Sequence, residues 1–223
     1  ILLVPRSPTN TWNMWYQDHI DVFFNRLIQN MIAFHNVDPN RVFLMGYSAG
    51  GDGVYQVAPR MADRFASAAM MAGHPNETSP VGLRNIGFTI HMGENDSAYN
   101  RNKVAIEWKS QLQTLRENDL NGYSHSVSIH EGKGHWMGGL DSSAISWVSG
   151  FTRDPFPKKV IWKQDDVTHN RYYWLKVNNP LKNSLIIAKI NNQTINIEKT
   201  TVSGIIIRLN DYLIDMNKKV IVK

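Results

Sequence analysis

Glycine is spread so unevenly along this chain that it points to two folding units rather than one. Fourteen of the 15 glycines lie before residue 158, and only Gly204 lies after it. Glycine serves tight turns and close backbone approach, so the first stretch reads as a densely turned fold and the second as something different in kind. The basic residues change at the same place, from 9 Arg and 3 Lys to 2 Arg and 10 Lys. Asp154-Pro155-Phe156-Pro157 makes a natural joint. We therefore expect one domain over residues 1–157 and a small one over residues 158–223.

The charge divides in the same way. Residues 1–157 carry 12 Lys+Arg against 14 Asp+Glu, and residues 158–223 carry 12 against 5. The formal net charge of +5 is thus a property of the second unit. Its lysines read as solvated strand faces and edge protection. No aromatic–basic motif accompanies them, so no nucleic-acid partner is expected. The absence of cysteine excludes a disulfide scaffold, a thiol nucleophile, cysteine zinc sites and iron–sulfur clusters. No apolar run approaches the roughly 18 residues of a membrane span. A P-loop, a G-x-G-x-x-G turn and a zincin histidine pair are all missing, so no cofactor and no metal is implied. Nothing in the sequence specifies an oligomeric state.

In the first unit, short apolar runs alternate with helical patterns. Ile1–Val4, closed by Pro5, reads as a buried strand, and Arg41–Met45, Phe65–Gly73, Gly87–Gly93 and Ser126–His130 read as further strands. Between them, Tyr16–Phe34 carries the i, i+3, i+4 spacing of one helix face, as does Asn102–Glu117, and a last helix is expected over Leu140–Val148. Such alternation implies a mostly parallel sheet with helices on both faces. After Phe156 the pattern becomes six β-branched runs separated by Asn-rich turns: KKVIWK, RYYWLKV, SLIIAKI, TINIEK, GIIIRL and KKVIVK. This predicts a small all-β domain of about six strands.

The strongest chemical signal is Gly46-Tyr47-Ser48-Ala49-Gly50, which fits G-x-S-x-G and sits between a strand and a helix. A sharp strand-to-helix turn presents the Ser48 hydroxyl at the sheet end. We expect Gly46 and Gly50 to be needed there because side chains would collide across the turn. The Ala49 N–H, at the helix start, is aimed at a developing oxyanion. A serine needs a base. Of the eight histidines, His135 alone sits in a glycine-flanked loop, GKGHWM, just after a strand. The orienting carboxylate is expected to be Asp96, after the strand Gly87–Gly93; Glu94 is its nearest rival, Asp119 at a helix end is a weaker candidate, and Asp52 lies too close to the turn to reach a histidine on the far side. Tyr47, Trp12 and Trp136 are possible substrate-lining residues. Ser48, Asp96 and His135 then follow the Ser…Asp…His order of α/β-hydrolases.

The segments RVFLMGYSAGG, HMGENDSAYNR and HEGKGHWM resemble the three site segments of α/β-hydrolase esterases of the polyhydroxybutyrate-depolymerase and feruloyl-esterase type. The resemblance covers roughly Ile1–Phe151. It implies an α/β-hydrolase fold, a small-molecule or polymeric ester as substrate, an acyl-enzyme on Ser48 and a secreted or periplasmic location, although no signal segment is visible. It also implies that Ile1–Val4 is the strand before the first long helix. On that reading the earlier strands, with the loop that supplies the second oxyanion N–H, are missing and the chain is a fragment. Two other readings stay open: a serine peptidase of the same fold, and a non-catalytic binding or scaffold protein built on a degenerate hydrolase core.

Overall fold

The computed structural model describes residues 1–223. The chain forms two compact units, Ile1–Arg153 and Asp154–Lys223.

In the first unit, strands β1 (Phe43–Tyr47), β2 (Ser67–Met71), β3 (Gly87–Gly93) and β4 (His125–His130) form one sheet in the order β1-β2-β3-β4. Every pairing is parallel, with Phe43 opposite Ser67, Ser67 opposite Gly87 and Phe88 opposite His125. Parallel neighbours require crossovers, and α1 (Asp18–His35), α2 (Ala49–Arg60), α3 (Arg101–Asn118) and α4 (Ser143–Ser149) cover the sheet.

Alternation along each strand sends successive side chains to opposite faces, and both faces are filled. On one side, Ile20 of α1 and Val57 of α2 join Met61 and Phe65, with Leu44 of β1 packed against them. On that face Phe88 of β3 also sits among Tyr55 of α2 and Trp108 of α3, whose rings meet edge-on with centroids 4.4 Å apart. On the other side, Ala144 and Val148 of α4 meet Ala69 of β2, with Phe43 of β1 alongside. β3 is buried along its whole length, and the two polar residues that alternate with Phe88, Ile90 and Met92, Thr89 and His91, lie within hydrogen-bond distance of each other. This is the α/β-hydrolase fold. A buried ion pair between Arg60 and Asp21, 2.6 Å apart, ties α2 to α1.

Ile1–Val4 does not form the expected strand: it has no regular structure, and Ile1, Leu2 and Val4 are each at least 85% exposed. An apolar run becomes a strand only when a neighbour completes its ladder. β1 is the edge of the sheet, and this segment does not pair with it.

The second unit is all-β, with seven strands rather than about six. β5 (Lys159–Lys163), β8 (Leu185–Asn191), β9 (Thr194–Thr200) and β11 (Ile221–Val222) make a sheet in the order β11-β9-β8-β5, and β6 (Arg171–Tyr172), β7 (Leu175–Lys176) and β10 (Ile206–Ile207) make a second in the order β10-β7-β6. The run RYYWLKV, expected as one strand, is a tight hairpin: Tyr173 adopts φ 49° and the chain reverses there. β8 alternates between buried Ile186, Ala188 and Ile190 and more exposed neighbours. The buried Trp162 and Tyr172 rings stack with centroids 5.7 Å apart, linking the two sheets.

Candidate active site

Ser48 is the residue between β1 and α2, with φ 56° and ψ −119°. A non-glycine residue at positive φ is strained. Neighbouring bonds hold it there: its N–H donates to the Met71 carbonyl of β2 (2.9 Å), and its carbonyl accepts from the Asp52 N–H (3.0 Å). Gly46 is indispensable, since a Cβ there would lie 2.1 Å from the Gly50 carbonyl oxygen. The expectation for Gly50 is corrected, because a Cβ at that position meets nothing within 4 Å. The close approach is one residue later. A Cβ on Gly51 would come within 2.6 Å of the Met71 carbonyl and 3.0 Å of Gly73, so Gly51 and Gly73 let α2 start directly against the end of β2. Ala49 is the first residue of α2, where a backbone N–H has no acceptor within the helix.

His135 stands on an exposed loop after β4, whose reversals use Gly132, Gly138 and Gly139 at positive φ. Its Nε2 lies 2.9 Å from Ser48 Oγ, and its Nδ1 lies 2.7 Å from Asp96 Oδ2. Asp96 is 3% exposed, and its second oxygen, Oδ1, faces Arg101 Nη1 at 3.7 Å. The three residues singled out from the sequence therefore meet in one line of hydrogen-bond contacts.

The acid loop and the histidine loop are bonded to each other. The Asn95 N–H donates to the Lys133 carbonyl (2.8 Å), and the Glu94 N–H donates to the His130 carbonyl (3.0 Å). Glu94, the rival acid, accepts the Gly132 N–H on its carboxylate at 2.9 Å and so serves as a tether. A Cβ on Gly93 would fall 2.0 Å from the Gly134 carbonyl oxygen, so glycine is required where the loops touch. Asp119 lies away from this group in a two-bond pair with Arg84, at 2.8 and 3.0 Å. Asp52 accepts the His74 N–H at 2.7 Å, and burial pushes its carboxyl above the usual carboxylate range.

Of the expected lining residues, Tyr47 has a structural part: its hydroxyl donates to the His135 carbonyl, and its ring packs against those of His135 and Trp136. Burial, and then the negative charges of Asp141 and Asp96, push the Tyr47 hydroxyl up, so it stays protonated as that donor. Trp136, next to His135 in the chain, is 71% exposed. Trp12 is exposed in the loop before α1 and shares no hydrogen bond or ring contact with Ser48, Asp96 or His135.

Sequence reasoning did not single out Arg101, although the HMGENDSAYNR segment contains it; no motif marks a residue whose partner is set by tertiary geometry. It also passed over His130. The ring of His130 stacks on buried His91, with Nε2 3.2 Å from His91 Nδ1, while His91 Nε2 lies 3.2 Å from Thr89 Oγ1. Burial, reinforced by His130, pushes His91 down to about 4.

Comparison with known proteins places this geometry in context. Among solved structures, the chain is similar to a thermostable esterase (18% identity, TM-score 0.48, 59% of this chain and 36% of that one). It is also similar to a carboxylesterase from Mesorhizobium loti (19% identity, TM-score 0.41, 59% and 60%). A ferulic acid esterase gives 17% identity and a TM-score of 0.46 over 60% of this chain and 62% of that one. The chain thus spans less than two thirds of each of these relatives. No curated protein matches it. The profile of the dienelactone hydrolase family matches residues 8–137, a span that holds Ser48, Asp96 and His135, and the chain belongs to that family.

Proposed function

We propose that this chain is a serine hydrolase that cleaves carboxylic esters through an acyl-enzyme intermediate. The observation that carries the reading is the unbroken contact line from Ser48 Oγ through His135 to buried Asp96, starting on a serine held at positive φ. Ser48 Oγ attacks the ester carbonyl as its proton passes to His135 Nε2. The imidazolium gives that proton to the departing alcohol. A water molecule then attacks the acyl-enzyme with His135 again as base, releasing the acid and restoring Ser48. Asp96 fixes the tautomer by accepting Nδ1–H and stabilises the imidazolium. The Ala49 N–H faces the oxyanion of each tetrahedral intermediate. A positioned base of this kind contributes about 10²–10⁴-fold in rate. The family takes its name from the hydrolysis of a lactone, an internal ester, which favours esters over peptides.

A fluorophosphonate probe tests the reading. We expect wild-type protein to be labelled and Ser48→Ala to be blank, with His135→Ala slowed by two or more orders of magnitude, as removal of a base implies. Parallel rates on p-nitrophenyl esters and peptide anilides should favour the esters. A probe that labels wild type and Ser48→Ala alike would falsify the assignment of the nucleophile.

A further inference from the structure

We propose that Arg101 is a positioning residue for the Ser48–His135–Asp96 line, acting through Asp96 and through the balance of charge behind the imidazole. The proposal rests on the serine-hydrolase reading of the site. Asp96 uses Oδ2 for His135, which leaves Oδ1 to a second partner, and Arg101 Nη1 faces that oxygen at 3.7 Å. A cation facing Oδ1 opposes rotation of the carboxylate about its Cβ–Cγ bond and so favours the direction in which it receives Nδ1–H.

Three departures from local preference occur together at this point. Tyr99 and Asn100 both adopt left-handed backbone, φ 54° and 57°, without being glycine. Immediately after them α3 opens on Arg101, followed by Lys103, with no acidic residue in its first turn. Cations at a helix N-terminus oppose the helix dipole, so the start of α3 is unfavourable for the helix taken alone. Such clustered departures are expected where function outweighs local stability. Here each one serves to bring a guanidinium to Asp96. The Tyr99 ring lies under it, 4.9 Å from ring centroid to Cζ. Asn102 closes the arrangement, its N–H donating to the Asp96 carbonyl (3.0 Å) and its side-chain amide to the Glu94 carbonyl (2.7 Å). The Arg101 Nε makes no hydrogen bond, so the side chain acts mainly as a placed charge.

The charged and titratable groups around His135 come from four elements: Asp96 from the loop after β3, Asp52 from α2, Arg101 from α3 and Tyr47 from β1, with Asp141 acting on Tyr47. Two carboxylates favour the imidazolium, and Arg101 opposes both; its charge also works against the burial that pushes the Asp52 carboxyl up. Removing Arg101 takes away a positive charge that opposes gain of a proton by the imidazole, the group proposed to accept the Ser48 proton.

The test follows the His135 ring by NMR titration in the full chain, with the resonance assigned by its loss in His135→Gln. Arg101→Gln and Arg101→Met remove the charge in two ways, in case one of them fails to fold, and Arg101→Lys restores it. We expect the titration midpoint to rise by about half a pH unit in the neutral variants, the scale of one partly screened charge, and to return to the wild-type position in Arg101→Lys. An unchanged or lowered midpoint in a folded neutral variant overturns the proposal. A purely architectural role would leave the midpoint in place whatever happened to stability. The titration needs no turnover, so a failure of the hydrolase reading would appear separately, as wild-type protein that takes no fluorophosphonate label.

Discussion

At the scale of single residues, the site was legible where one stretch of chain carries its own geometry. A strand, a Gly-x-Ser-x-Gly turn and a helix can be read from consecutive residues, and the same holds for a glycine-flanked histidine after a strand. Residues whose meaning depends on a distant partner were not legible: Tyr47 reaching the His135 carbonyl, Arg101 facing Asp96, and Gly51 lying against Gly73. The contact of His91 with His130 was not legible either. The burial of His91, reinforced by His130, has a measurable consequence. An unfolded histidine titrates near 6.5, whereas His91 in the fold is held to about 4. Between these values the unfolded chain binds the additional proton, so the contribution is intact above 6.5 and is lost as pH falls towards 4. Urea unfolding should show wild type losing about 2 kcal/mol between pH 6.5 and 4.5 from this group. His91→Gln should show a correspondingly flatter dependence.

At the scale of elements, the helices and the four strands of the first unit follow their apolar periodicity because each packs on a face that the period defines. The failures share one cause. Ile1–Val4 and RYYWLKV have strand composition, but composition does not reveal whether a ladder partner is available or whether the chain turns in the middle. Tyr173 at positive φ is the turn that β-branched and aromatic neighbours concealed. The junction between β3 and the loop after β4 offers a sharp test of how elements place the base. Gly93→Ala drives a Cβ into the Gly134 carbonyl, 2.0 Å away, whereas Gly134→Ala meets nothing within 4 Å. A displacement of about 1 Å in a catalytic group can cost about 10² in rate. Ester hydrolysis by Gly93→Ala should therefore fall by about that factor in kcat/KM, with Gly134→Ala close to wild type. Equal losses in the two variants would mean that loop composition, and not the contact, sets the position of His135.

At the scale of the whole molecule, Ser48, Asp96 and His135 all fall within Ile1–Arg153, while the second unit carries 12 basic residues against 6 acidic ones, the excess that raises the isoelectric point to about 9.4. The shift in glycine and lysine usage anticipated two kinds of structure because parallel crossovers need close-packed turns and short antiparallel strands do not. Trp162 is 2% exposed in the second core, and truncating such a residue to alanine costs about 3–5 kcal/mol. Trp162→Ala should lower the urea midpoint of the second unit and leave the rate of Ser48 labelling at 25 °C unchanged. A parallel loss of labelling would assign the β-rich unit a part in the chemistry. The two loops bonded through Asn95–Lys133 and Glu94–His130 carry a consequence for engineering. Because main-chain groups make those bonds, the spacing of Asp96 and His135 does not depend on the side chains between them. A transplant that moves either loop without the other would keep both residues and lose the alignment on which the proposed chemistry depends.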